Sequence, residues 1–222
     1  MITRRSLLGG AVGAVGAGML TQAPAGAAHA AGAPEAHGWT GDVSANGWRI
    51  DPAAIATYRV EGSTASVALR HGPAAVVLLH VARRWHYEIG PVDTGEGGGI
   101  AGHRTDRAVR ADFESAYLSG TAIALHPTAY PLGGSESPWP HQEAIVRDVL
   151  ADCDGVLVWG GDLAPTTASH FHIAARPGDQ ALARVAARLG AGAHVVRRRA
   201  GTADDRAAKD DRAAKSDHPV GD

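Results

Sequence analysis

Hydrophobic residues recur at helical spacing in three stretches of the chain. The first follows Gly72-Pro73, where proline suits the first turn of a helix, and the second covers residues 142 to 150. The third follows Asp179, a capping residue, and stops at Gly190. The apolar stripes are Val77, Leu78, Val81 and Trp85; Ile145, Val146, Val149 and Leu150; and Leu182, Val185, Ala186 and Leu189. This spacing predicts three amphipathic helices, each with one buried face.

Shorter apolar runs with β-prone residues lie between these helices. The stretch from Val60 to Leu69 alternates around Gly62, which places Val67 and Leu69 on one face. Further strands are predicted at Thr121–Leu125, Val156–Trp159 and Phe171–Ala174. Helices followed by short strands indicate an α+β fold with helices packed on a small antiparallel sheet.

The first thirty residues have the pattern of an export signal. Paired arginines, Arg4 and Arg5, precede a 14-residue apolar run from Leu7 to Leu20, and Ala28-His29-Ala30 offers a cleavage site. The run is shorter than the roughly 20 residues that span a bilayer, which disfavours a membrane anchor. We therefore predict a signal peptide of twin-arginine type over residues 1–30 and an extracellular or cell-envelope location, with no stable membrane anchor after cleavage.

Composition divides the rest of the chain into three parts. Residues 31–47 are rich in Gly, Ala and His and are predicted to be a linker, and residues 48–196 to form one domain. Residues 197–222 contain the hexapeptide Asp204-Asp-Arg-Ala-Ala-Lys209 twice in succession, with no large apolar residue to bury. This stretch is predicted to be a solvated, disordered tail.

Charge and cysteine content narrow the classes of function. The formal net charge is -2, and removal of Arg4 and Arg5 with the signal lowers it by two, to -4. Such a chain lacks the basic surface that nucleic acid requires, so nucleic-acid binding is not expected. Cys153 is the only cysteine, so an intrachain disulfide is excluded and the exported fold depends on its core.

Three blocks of the chain resemble a known family of enzymes. They read Ser115-Ala-Tyr-Leu-Ser-Gly-Thr-Ala-Ile-Ala-Leu125, Trp159-Gly-Gly-Asp162 and Ser169-His-Phe-His-Ile173. Together they resemble the D-alanyl-D-alanine carboxypeptidase and L-alanyl-D-glutamate endopeptidase family, zinc hydrolases that trim the peptide stems of bacterial cell wall. The resemblance covers roughly residues 72–174 and implies a hedgehog/D-Ala-D-Ala-peptidase-like single domain.

The resemblance also implies where zinc and the catalytic base would lie. The family's first His and its Asp fall on Tyr117 and Ala124, its last His falls on His170, and its carboxylate base falls on Thr167. A catalytic zinc needs three protein ligands, a water and a base. A methyl group cannot coordinate, and a neutral phenol with a pKa near 10 is a poor ligand. Only His170 keeps the residue type that the family requires.

The scaffold around these positions matches the family better than the positions themselves. Ser119-Gly-Thr-Ala-Ile123, Pro131-Leu-Gly133 and Trp159-Gly-Gly-Asp162 stand where the family has them. Arg107 matches an arginine that would face the substrate carbonyl or carboxylate, which a guanidinium binds bidentately. The alternative is a surface arginine in a stretch that also holds Arg104 and Arg110. The substrate-binding candidates are Arg107, Tyr117, Ser119 and Asp162.

A relocated metal site is an alternative to a lost one. The chain carries 12 histidines. His126 lies two residues after Ala124, and His172 two residues after His170, so on strands each pair shares a face. A site of His126, His170 and His172 would supply three ligands, with Glu114 or Asp162 as the nearest carboxylates in sequence.

Two functions follow from these alternatives. The first is an exported cell-wall peptidase-like protein without zinc or other cofactor, which binds peptidoglycan stem peptides or a partner through the retained cleft. The second is an active zinc carboxypeptidase or endopeptidase on peptidoglycan with relocated ligands. We prefer the first, because three of the four catalytic positions are replaced.

Overall fold

The computed structural model describes residues 34–190. The predicted signal peptide and tail lie outside the described residues. The strands are β1 (His37–Gly38), β2 (Ile55–Arg59), β3 (Ser66–Arg70), β4 (Ile100–Ala101), β5 (Ala108–Val109), β6 (Ala122–Leu125), β7 (Leu157–Trp159) and β8 (His170–Ile173). The α-helices are α1 (Pro73–Glu88), α2 (Pro140–Asp152) and α3 (180–190). Short 3-10 segments cover Pro52–Ala54, Glu96–Gly98, Asp112–Tyr117 and Gly160–Asp162. No helix among the described residues is long and apolar enough to cross a membrane.

The strands form small antiparallel sheets. The largest has four strands in the order β4-β6-β8-β7, and two further pairs are the β2–β3 hairpin and β1–β5. Every one of these pairs is antiparallel. The predicted α+β class, with helices and a small antiparallel sheet, is therefore confirmed.

The helices bury one face of the four-stranded sheet. Ile123 and Leu125 of β6 and Phe171 and Ile173 of β8 join the main core, and Trp85 of α1 lies 5.9 Å from the Phe171 ring. Burying each such side chain fully contributes about 1.5–3 kcal/mol. The predicted stripe of α1 is buried throughout, as are Val146 and Val149 of α2 and Leu182, Val185 and Ala186 of α3. The helical spacing in the sequence thus identified the core faces of all three helices.

The opposite face of this sheet carries the positions named by the family resemblance. Because side chains alternate along a strand, Ala122 and Ala124 of β6 share a face with His170 and His172 of β8. The 3-10 segment Asp112–Tyr117 contacts β6 and β8. This second layer of the domain therefore holds the candidate site, while α1 and α2 support the sheet from behind.

Residues 31–47, predicted to be a linker, are corrected by the structure from residue 37 onward. β1 pairs with β5, so His37 lies opposite Val109. Asn46 donates from Nδ2 to Thr121 Oγ1 at 2.8 Å and to the Ile173 carbonyl at 2.9 Å. The segment is short of large apolar residues, but its small polar side chains satisfy buried groups of the domain, and composition does not reveal that role.

Replacing Asn46 with alanine is expected to destabilise the fold. The amide bridges a side chain and a backbone carbonyl that are otherwise part of the buried interior. Leaving such acceptors unpaired costs about 1–3 kcal/mol of unfolding free energy. Urea denaturation would measure the loss. Ser137→Ala, at an exposed position of the 131–139 loop, is the control and should change stability by less than about 0.5 kcal/mol. Equal effects of the two changes would refute a structural role for Asn46.

Candidate functional site

The centre of the site is a hydrogen-bonded chain of three aromatic side chains. Tyr117 Oη lies 2.7 Å from His170 Nδ1, and His170 Nε2 lies 2.9 Å from His172 Nδ1. Tyr117 ends the 3-10 segment, while the two histidines stand two residues apart on β8 and share one face. All three side chains are buried. The chain therefore links the end of the 3-10 segment to one face of β8.

The three groups are neutral near pH 7. Burial raises the pKa of Tyr117. Burial, with the nearby His172 and Arg104, lowers the pKa of His170 well below its ordinary value, and burial lowers the pKa of His172 to about 4. The Tyr117 hydroxyl has no other acceptor among the described residues, so it donates to His170 Nδ1. His170 then donates from Nε2 to His172 Nδ1, which leaves the His172 Nε2–H as the outer donor.

Phe113 covers the histidine pair. Its ring centroid lies 4.9 Å from that of His170 and 6.4 Å from that of His172, and the Phe113 and His172 rings are nearly parallel, at 5°. Phe113 itself is half-buried. It therefore separates the imidazoles from bulk water, which explains why they favour the neutral state.

Arg104 packs against the ring of Tyr117. Its Cζ is 5.1 Å from the centroid of the Tyr117 ring, and its backbone N–H donates to the Tyr117 carbonyl at 3.3 Å. The side-chain atoms Nε and Nη2 are buried and have no hydrogen-bond partner in the part of the chain that the structure describes. The site thus combines a neutral aromatic chain with one guanidinium that lacks an acceptor.

The positions that the family uses for zinc come together, but the residues present do not fit the ion. Ala124 pairs with His170 across β6 and β8, and Tyr117 touches His170 from the 3-10 segment. Both nitrogens of His170 are engaged by other side chains, and the Ala124 methyl offers no ligand atom. Among residues 34–190 there is no group of three His, Cys, Asp or Glu that could hold a metal.

The relocated site of His126, His170 and His172 is corrected by the structure. β6 ends at Leu125, and His126 adopts a left-handed φ of 53°. Its Nε2 lies 3.0 Å from the Pro91 carbonyl, and its ring packs edge-on against Trp85 at 5.7 Å. Trp85 belongs to the core on the other side of the sheet. The two-residue spacing predicts a shared face only while the strand continues, and it ends one residue too early.

Arg107 is hydrogen-bonded to the segment that follows β1. Its guanidinium donates from Nη1 to the carbonyls of Trp39 at 3.1 Å and Gly41 at 2.9 Å. It has no hydrogen bond to Tyr117 or His170. The structure therefore does not join Arg107 to the site, and Arg104 is the arginine beside the phenol.

Two other predicted substrate-binding residues form structural contacts instead. Ser119 is fully buried, with Oγ 2.9 Å from Ser44 Oγ and 2.9 Å from Thr121 Oγ1. Asp162 accepts two bonds from Arg147, at 2.6 and 2.7 Å, on the exposed surface. The Arg147 bond lowers the pKa of Asp162. Neither side chain is hydrogen-bonded to Tyr117, His170 or His172.

The candidate bases are also engaged elsewhere. Thr167 Oγ1 lies 3.3 Å from the Tyr130 carbonyl and 3.1 Å from Ser169 Oγ. The Glu114 carboxylate accepts from the backbone N–H of Arg110 at 2.6 Å and that of Ala111 at 3.3 Å, which caps the 3-10 segment. Among residues 34–190, no carboxylate is hydrogen-bonded to the Tyr117–His170–His172 chain.

Sequence reasoning missed Arg104 and Phe113 as members of the site. Arg104, Arg107 and Arg110 have the same spacing from one another, so sequence does not say which of them turns toward Tyr117. Phe113 lies two residues before the first family-like block, which begins at Ser115. The 3-10 turn that places Phe113 over β8 became visible only in the structure.

A separate cavity lies beside the β2–β3 hairpin. It has a volume of about 600 Å³ between β2, α1 and the end of α3. Its lining includes Tyr58, His80, Arg83 and Leu189, and none of the predicted site residues.

Comparison with known proteins does not place the chain in a family. No family model, no curated protein and no solved structure matches it.

Proposed function

We propose that this chain is an exported, metal-independent relative of the D-alanyl-D-alanine and L-alanyl-D-glutamate peptidases, which binds peptidoglycan stem peptides without cleaving them. The proposal includes the hedgehog/D-Ala-D-Ala-peptidase-like form of the α+β fold. The observation that carries it is the bond of 2.7 Å between Tyr117 Oη and His170 Nδ1. The hydroxyl engages the one family ligand that the chain retains.

The position of the hydroxyl supports replacement of zinc by a phenol. An imidazole with a Zn–N bond of about 2.0–2.1 Å extends about as far as a tyrosine side chain. A histidine at position 117 would therefore hold a metal ion at about the place where Tyr117 has its hydroxyl oxygen. A protein without that metal lacks an activated water and the Lewis acid that amide hydrolysis uses in this family. Binding is the part of the family's activity that the remaining groups can support.

The glycine of the Trp159-Gly-Gly-Asp162 block also supports the family proposal. A Cβ on Gly160 would overlap the Thr167 carbonyl oxygen and lie 2.9 Å from His170 Cβ. The Thr167 N–H also donates to the Gly160 carbonyl at 3.0 Å. The motif thus allows the chain to pass closely behind His170, a requirement that remains when the metal is lost.

Stem-peptide binding would be tested by calorimetry on the mature protein, residues 31–222. We expect a soluble pentapeptide stem to bind and to remain intact, with zinc present or absent. His172→Ala removes the outer donor of the aromatic chain and should weaken binding at least about ten-fold. His141→Ala, at an exposed position of α2, is the matched control.

The outcomes of this test are distinct. Zinc-dependent turnover that His170→Ala abolishes would overturn the proposal in favour of a hydrolase. Stem peptide that fails to bind a folded protein would overturn it in favour of a protein partner or a purely structural role.

A further inference from the structure

The cavity beside the β2–β3 hairpin lies along an open sheet edge. Among the described residues β2 pairs only with β3, so its other side is an edge. Consecutive residues of β2 line the cavity and none of β3 does, which places it along this edge rather than on one face of the hairpin. Val76 and Leu79 of α1 and Leu189 of α3 supply a partly buried apolar wall. We call this cavity of about 600 Å³ the β2 groove.

Backbone groups of β2 are unpaired on the side of the groove. The Val60 N–H donates to the Ala65 carbonyl at 3.0 Å, and the register makes these two residues a bonded pair. Bonded and non-bonded pairs alternate in an antiparallel ladder, so Thr57 and Arg59 direct their N–H and C=O groups away from β3. None of these groups has a hydrogen-bond partner within residues 34–190. The groove therefore offers donors and acceptors at alternate residues to an added strand.

The chain itself reaches this groove at the last described residue. Gly190 is part of the lining, and a Cβ there would lie 3.8 Å from Val76 Cγ1, near the start of α1. The start of β2 lies at the same end, because Ile55 pairs with Arg70 and α1 begins shortly afterwards at Pro73. A segment that continues from Gly190 along the groove therefore meets the start of β2 first and runs parallel to it.

The sequence after Gly190 suits such a strand. Three small residues are followed by His194-Val-Val-Arg197, and β-branched residues favour strands. Val195 and Val196 are the only adjacent pair of large apolar residues after Gly190, and Val220 is the one other valine there. Six extended residues span about 20 Å at about 3.3 Å each, which is enough to follow the whole of β2. Because neighbours on a strand point to opposite faces, one of the two valines would face the apolar wall.

We propose that residues 191–196 of the same chain add to β2 as a parallel third strand and fill the β2 groove. Backbone groups of this segment bond to Thr57 and Arg59, and a valine covers Val76 and Leu79. The groove is then an internal joint of the fold, and an extended peptide from another molecule binds there only by displacing the segment.

Amide hydrogen exchange of the full chain, followed by NMR, tests the added strand. The N–H groups of Thr57 and Arg59 should exchange at least about 100-fold more slowly than in an unfolded peptide, although they have no partner within residues 34–190. The double change Val195→Asn, Val196→Asn removes the apolar contact and should speed their exchange at least about ten-fold. Val220→Asn is the same chemical change elsewhere after Gly190 and should leave the exchange as in the wild type.

A second variant tests the edge of β2 itself. Arg59→Pro removes an outward N–H without breaking a bond to β3, and proline is tolerated at such edge positions. The Val196 N–H should then exchange at least about ten-fold faster than in the wild type. The Tyr58 N–H is the internal reference, because its bonded pair is Val67 of β3 and it should stay protected in every variant.

The outcomes are distinct. Slow exchange that is independent of protein concentration and is lost with Val195 and Val196 but not with Val220 supports the proposal. Fast exchange of Thr57 and Arg59 in the folded wild type overturns it and leaves the groove open to an outside peptide. Protection that grows with protein concentration, with a dimer in sedimentation velocity, overturns it in favour of a strand from a second copy. Protection of Thr57 that survives both the double change and Arg59→Pro also overturns it.

Discussion

Replacing Tyr117 with histidine and Ala124 with aspartate is expected to produce a protein that binds one Zn²⁺ per chain. The new histidine would withdraw the hydroxyl from His170 Nδ1, which then has a free lone pair. The new aspartate would extend from the position paired with His170 on the same face of the sheet. Three ligands of suitable type would then converge, as a catalytic zinc site requires.

The existing neighbour of His170 completes the design. His170 donates from Nε2 to His172 Nδ1 at 2.9 Å, and metal-bound histidines usually need such a partner on the second nitrogen. We therefore expect a dissociation constant of about 1 µM or below for the double variant, and binding at least 100-fold weaker in the wild type. Equilibrium dialysis with elemental analysis would measure both values.

Two controls show whether the metal lies where we expect. Adding His170→Ala to the double variant should abolish binding, whereas adding His126→Ala should not, since His126 bonds to Pro91 on the other side. Stoichiometric zinc in the wild type would contradict the replacement of metal by the phenol. Failure of a folded double variant to bind zinc would contradict the convergence of these three positions.

The sequence predicted the supporting layer of the molecule well. Val77, Leu78, Val81 and Trp85 repeat with the period of a helix and are all buried in α1. The strands predicted near Thr121, Val156 and Phe171 agree with β6, β7 and β8 to within one or two residues. Such elements are predictable because burial of one face imposes a period on the sequence.

The candidate site was predictable in position but not in detail. The family-like blocks place Tyr117, Ala124 and His170 near one another, and the register of β6 and β8 does bring them together. Side-chain direction at the ends of elements was beyond the sequence. His126 turns away because of one left-handed residue, and Arg104 rather than Arg107 faces Tyr117 because of a loop without periodicity.

Lowering the pH from 7.5 to 5 is expected to destabilise the protein through the buried histidine pair. His172 has a pKa of about 4 in the folded chain, against an ordinary value of 6.5. Between these values the unfolded state binds more protons, so stability is fully present above about pH 6.5 and falls as the pH approaches 4. The contribution of His172 alone is about 2 kcal/mol at pH 5. The pKa of His170 is lowered too, and acts in the same direction.

Urea unfolding at the two pH values, in wild type and His172→Gln, would isolate this effect. Glutamine can accept the bond from His170 but does not titrate, so the variant should lose about 2 kcal/mol less than the wild type. His80 and His103, whose pKa values are also lowered by burial, contribute equally to both proteins and cancel in the comparison. His141→Gln, at the exposed α2 position, should behave as the wild type. If His172→Gln loses as much stability as the wild type, then His172 is not held neutral in the folded protein. That result would also contradict the hydrogen-bonded chain from Tyr117 to His172.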